Sequence, residues 1–104
     1  MSKVIVIEDS AVFAAYCCGL LKKAGYQAET DATVAGAKKL IEKAMPEDII
    51  LADYELENGT NCIDVMEWMT LTGYENPVIV MTSHNLWSDC YGTGCTVLYT
   101  ESSA

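Results

Sequence analysis

Short apolar runs separated by longer mixed segments divide the chain into alternating elements. Lys3-Val4-Ile5-Val6-Ile7 is a continuous β-branched run closed by Glu8-Asp9-Ser10. A run of that length and composition suits a strand covered on both faces. Ser10 is placed to cap a helix from about Ala11 to Ala24, with Phe13, Cys17, Leu20 and Ala24 on one face and Gly25 as its stop. A weaker strand is expected at Tyr26–Glu29, and a second helix over Thr33–Lys43 with Ala37, Leu40 and Ala44 on one stripe. Asp48–Ala52 reads as a third strand ending at Asp53, followed by a turn containing Asn58-Gly59. A third helix is expected from about Cys62 to Thr72, with Ile63, Met66 and Met69 inward and Gly73 at its end. Pro77–Met81 reads as a fourth strand ending at Thr82-Ser83. His84–Tyr91 suits only a short helix, and Thr96–Thr100 a fifth strand.

Strand and helix alternate with short connections, so the expected fold class is α/β. The chain should form a flavodoxin-like, doubly wound, five-stranded parallel sheet of order 2-1-3-4-5, as a single domain over residues 1–104. In such sheets the functional crevice lies beyond the carboxyl ends of the strands, where strand order reverses. The residues at those ends are Glu8 and Asp9, then Asp53, then Thr82 and Ser83. Each alone reads as a turn or cap residue. Together they end neighbouring strands at one edge. Carboxylates gathered there repel one another. A divalent cation with a preference for oxygen, such as Mg2+, relieves that repulsion. A carboxylate so placed can attack phosphorus, and the Thr82 hydroxyl can donate to a phosphoryl oxygen.

Composition narrows the reading. A hydrophobic fraction of 51% supports a packed core. Fifteen acids against six bases give a net charge of -9, which argues against nucleic acid as a partner. No apolar run reaches membrane-spanning length and no leader precedes the first strand, so the expected location is the cytosol. The five cysteines, an odd number without a secretory signal, read as free thiols rather than as disulfides or a zinc site. A phosphate-cradling cofactor loop after the first strand is disfavoured by the charge of Glu8-Asp9-Ser10.

The segments Val4–Ser10, Ile49–Leu56 and Pro77–Ser83 resemble those of the receiver domain of two-component response regulators, a CheY-like family. The resemblance implies that Asp53 is the phosphoacceptor and Thr82 the switch hydroxyl. It also implies that Glu8, Asp9, Asp53 and the backbone carbonyl of Glu55 form an Mg2+ site. The implied partners are a sensor histidine kinase or phosphotransfer protein, and a downstream protein reading the helix-four/strand-five face. The implied role is a signalling switch, not an enzyme.

The sequence departs from the family in several places. The usual strand-five Lys has no counterpart: Glu101-Ser102 falls there, and no Lys follows Lys43. The family's aromatic falls at Leu98, with Tyr99 beside it; the segment before strand five is short; and Cys62 stands where Gly is common. The sequence ends at Ala104 without a fifth helix, so a second copy, or a further part of a longer chain, is expected to cover the bare sheet face. These departures give the alternative reading of a degenerate receiver, a protein-interaction module that works without phosphorylation.

Overall fold

The computed structural model describes residues 2–56, 59–82 and 96–99. The elements are β1 (Lys3–Ile7), α1 (Ala11–Lys23), β2 (Gln27–Asp31), α2 (Val34–Glu42), β3 (Ile49–Asp53), α3 (Cys62–Thr72), β4 (Val78–Thr82) and β5 (Thr96–Tyr99). All ladders are parallel, and the strand order is β2-β1-β3-β4-β5. The expected α/β class and strand order are observed, as are the five strands and first three helices of the expected sequence. The helix expected at His84–Tyr91 lies outside the described residues, as do Ser83, Cys90, Cys95 and Glu101 and the side chains of Leu98 and Tyr99.

Alternation along β1 divides the interior. Ile5 and Ile7 pack on the α2/α3 side with Ile41, Ile50, Val65 and Val80. Val4 and Val6 pack on the α1 side with Cys17, Cys18 and Met81. Both faces of β1 are therefore apolar, which is why the sequence shows a continuous run rather than an alternating one.

The helix ends follow local chemistry. The Phe13 N–H donates to the Ser10 side chain at 3.3 Å, so Ser10 caps α1 as expected. Gly25 adopts a φ of 94°, and the Gly25 and Tyr26 N–H groups donate back to the Lys22 and Leu21 carbonyls. That pairing is a left-handed helix stop, which glycine adopts without a Cβ penalty. Thr33 caps α2 from outside the helix instead of beginning it, and accepts the Gly36 N–H at 2.9 Å.

One expectation about α1 needs correction. The stripe turned to the sheet is Ala14, Cys17 and Cys18, whereas Phe13 and Leu20 remain 43% and 50% exposed. Cys62 is fully buried at the first turn of α3, as a packing thiol. The chain closes tightly at the β2–α2 junction too. A Cβ on Gly36 would collide with the Asp31 carboxylate, which accepts the Thr33 N–H and hydroxyl at 2.9 Å each. Gly36→Ala must push that carboxylate off both bonds while gaining helix propensity. The expected net loss is about 1 kcal/mol, read from the urea midpoint at unchanged slope.

Candidate functional site

The ladder register brings the strand ends level. Ile7 pairs with Ala52, and Asp53 pairs with Met81, the residue before Thr82. Glu8 and Asp53 are thus the next residues beyond one paired step. Glu8, Asp9 and Asp53 each offer a carboxylate oxygen within 4.8 Å of the others. The sequence places these three at one edge, and the structure brings them together.

Backbone contacts fix them. The Glu8 N–H donates to the Asp31 carbonyl at 3.2 Å, extending the β1–β2 ladder one step. The Glu8 Oε1 accepts the N–H of Ser10 at 3.0 Å, so the residue that caps α1 also holds the carboxylate inward. Glu8 is 5% exposed, Asp53 is half-buried and Asp9 is exposed. Beyond β3, the Tyr54 N–H donates to the Met81 carbonyl and the Cys62 N–H to the Tyr54 carbonyl, each at 2.9 Å. Glu55 bridges Asn61, and Gly59 turns the loop with a φ of 74°. Glu55 is exposed two residues past Asp53. Thr82 is the last residue of β4, while its hydroxyl lies outside the described part of the structure. Sequence reasoning missed the Ser10 N–H on Glu8. The signal was available, since a cap residue two positions after a carboxylate offers its own N–H to it.

The electrostatics follow from burial and crowding. Burial pushes the Glu8 carboxyl up to about 7; its hydrogen bond with Asp9 and the charges of Asp53 and Asp9 add to this, against the opposing Ser10 N–H. Asp53 is pushed up to about 6, by burial first, then by the charge of Asp9 and, more weakly, of Glu55. The Tyr54 N–H and the hydrogen bond with Glu8 act the other way. Burial and mutual repulsion of this kind are what a bound cation would offset. Three hard oxygen donors on a half-open edge fit Mg2+, which keeps part of its water shell and takes few protein ligands.

The family model for the response regulator receiver domain matches residues 4–91. The chain belongs to that family. Among solved structures it is similar to the chemotaxis protein CheY4 of Vibrio cholerae, at 24% identity and a TM-score of 0.82, over 99% of this chain and 89% of that one. It is likewise similar to the response regulator TrrA of Thermotoga maritima in complex with Mg2+–BeF (18% identity, TM-score 0.81, covering 99% and 89%). The Francisella response regulator 1452 receiver domain superposes with a TM-score of 0.87 at 18% identity, covering 99% and 87%. At these identities the likeness is one of fold. No curated protein matches the sequence. Among the described residues, no helix is long and apolar enough to cross a membrane.

Proposed function

We propose that this receiver is a phosphoacceptor in two-component signalling, taking a phosphoryl group on Asp53 from a phosphohistidine of a sensor kinase or phosphotransfer protein. The observation that carries the reading is the meeting of Glu8, Asp9 and Asp53 within 4.8 Å at the carboxyl edge of a receiver-family sheet. Asp9, Asp53 and the Glu55 carbonyl would hold Mg2+, with Glu8 acting through water. Bound there, the ion supplies charge neutralisation for the developing phosphoryl transfer. An Asp53 oxygen attacks phosphorus, the phosphorus–nitrogen bond breaks, and its electron pair returns to the imidazole. Glu8, held by Ser10, keeps its carboxylate turned into the crevice and shapes the field at Asp53. Thr82 donates to the new phosphoryl group, and the face of helix four and β5 changes its partner preference. The chain acts in the cytosol on protein partners, as a switch and not as an enzyme on a separate substrate.

A second reading is favoured by one observation. No Lys follows Lys43, so residues 44–104 bring no lysine to the phosphoryl group. On that reading the domain binds its partner without phosphorylation. Incubation with Mg2+ and acetyl phosphate, followed by intact mass, decides between them. The expected result is one added phosphoryl group on the native chain and none on Asp53→Asn. A native chain that stays unmodified with and without Mg2+ leaves the second reading.

A further inference from the structure

The end of β3 and the start of α3 are spliced together by backbone bonds. The Cys62 N–H donates to the Tyr54 carbonyl and the Leu56 N–H to the Thr60 carbonyl, each at 2.9 Å. These two bonds flank the antiparallel pair Glu55–Asn61. In a pair of that kind the two residues make no backbone bond to each other, and their own C=O and N–H groups point outward. The Glu55 carbonyl is therefore directed away from Asn61, and the place of Asn61 sets the line along which it points.

The helix holds Asn61 from the other side. The first N–H groups of a helix have no partner within it. In α3 the Asn61 Oδ1 accepts the Ile63 N–H at 2.9 Å and the Asn61 carbonyl accepts the Asp64 N–H at 3.2 Å, while Tyr54, the residue after Asp53, takes the Cys62 N–H. The Asn61 backbone is extended, with φ -142° and ψ 172°, as both the cap and the pairing with Glu55 require. Alanine favours helical over extended backbone and offers no side-chain acceptor. With alanine at position 61 the helix runs back through that residue, and the pairing with Glu55 opens.

We propose that Asn61 is a positioning residue for the cation: by capping α3 and pairing with Glu55 it fixes the Glu55 carbonyl as a ligand beside Asp9 and Asp53. The proposal rests on the phosphoacceptor reading above and adds what aligns its metal site. Mg2+ demands near-octahedral geometry, so one misdirected oxygen lowers its affinity. Groups that orient a metal ligand are worth about ten- to a hundredfold in affinity, and the alignment of a single carbonyl belongs at the lower end of that range.

An amide NMR titration of the full 104-residue chain with MgCl2 at about pH 8, following Asp9, Asp53 and Glu55, tests it. Asn61→Ala should raise the Mg2+ Kd about tenfold, whereas Asn61→Ser, which keeps a capping oxygen, should stay within about threefold of the native value. Gly59→Ala, which strains the turn at a φ of 74°, should raise the Kd as well. Gly73→Ala strains the other end of the same helix, at a φ of 87°, without touching the loop; it should unfold more readily yet bind Mg2+ as the native chain does. An unchanged Kd in Asn61→Ala, or a rise in Gly73→Ala as large as its own, overturns the proposal alone. Should Asn61→Ala not fold, Gly59→Ala carries the same two outcomes. A native chain without a saturable shift, or Asp53→Asn binding Mg2+ as tightly as the native chain, removes the metal site and overturns the phosphoacceptor reading together with the proposal.

Discussion

Asp48→Ala is expected to lower the unfolding free energy by about 3 kcal/mol, a large share of the roughly 5–15 kcal/mol that holds a domain of this size. Asp48 lies at the end of the sheet opposite the acid cluster and is only 3% exposed. One carboxylate oxygen accepts the Lys3 N–H and the other the Met45 N–H, both at 2.9 Å. The first bond ties the start of β1, and the second holds the turn that leads into β3. Asn76 completes the arrangement, its side-chain amide donating to the Met45 carbonyl at 2.8 Å and to the Asp48 carbonyl at 3.1 Å. Alanine leaves both N–H groups without their charged acceptor, and charge-assisted bonds are worth about 1.5–3 kcal/mol each. In a thermal melt the midpoint should fall by roughly 12–24 °C. Asp48→Asn keeps one acceptor and should lose about half as much. The sign of the pH dependence follows from the same contacts. Burial pushes the Asp48 carboxyl up, but the two backbone N–H groups and the Lys3 charge outweigh it and leave it below the ordinary value. The native state therefore binds fewer protons than the unfolded chain around pH 4. The stabilisation is present above that pH and is lost as pH falls through the lowered native value. An Asp48→Ala protein within 0.5 kcal/mol of the native one, as an approximate bound on surface effects, would show that the clamp contributes little.

The role of Asp48 also marks where sequence reading stops. Asp48 stands next to an apolar run, and local pattern assigns it to the start of a strand. Its function depends on two N–H groups, one of them 45 positions away in the chain. Nothing local announces that pairing. The elements themselves were legible because β1, β3 and β4 are β-branched runs with hard polar stops. Their order followed from the short parallel connections. The weaker β2 was placed one to two residues early, since QAETD is an edge strand with little apolar content to fix its register. The inner face of α1 was misjudged for a related reason. A helix that is apolar all round has no amphipathic signal, so periodicity cannot say which stripe meets the sheet. The acid cluster was legible because its members end three separate apolar runs. The depth of Glu8 was not, because it depends on how Ser10 turns its N–H back towards the crevice.

Removing one charge from that cluster should stabilise the metal-free protein, increasingly as pH rises above about 6. Glu8 holds its proton up to about 7 and Asp53 up to about 6 in the folded chain, against ordinary values of 4.5 and 3.8. Between roughly pH 4.5 and 7 the native state thus binds more protons than the unfolded chain, and stability falls as pH rises through that window. For the buried Glu8 the span corresponds to at most about 3 kcal/mol, while the half-exposed Asp53 contributes about 1 kcal/mol after solvent screening. At pH 8 without divalent ions, Asp53→Asn relieves its own charge and part of the pressure on Glu8. Its melting midpoint should lie roughly 4–16 °C above the native one, a gain of about 1–2 kcal/mol. At pH 5, where both carboxyls of the native protein already hold protons, the two midpoints should converge. Mg2+ should act in the opposite sense on the pair. It raises the native midpoint with each increment of ion, most strongly above pH 7 where protons no longer compete, and leaves Asp53→Asn little changed. A metal-free Asp53→Asn that melts below the native chain at pH 8 would mean that packing or hydrogen bonding at Asp53 outweighs the repulsion, and the cluster would lose its electrostatic reason to take a cation.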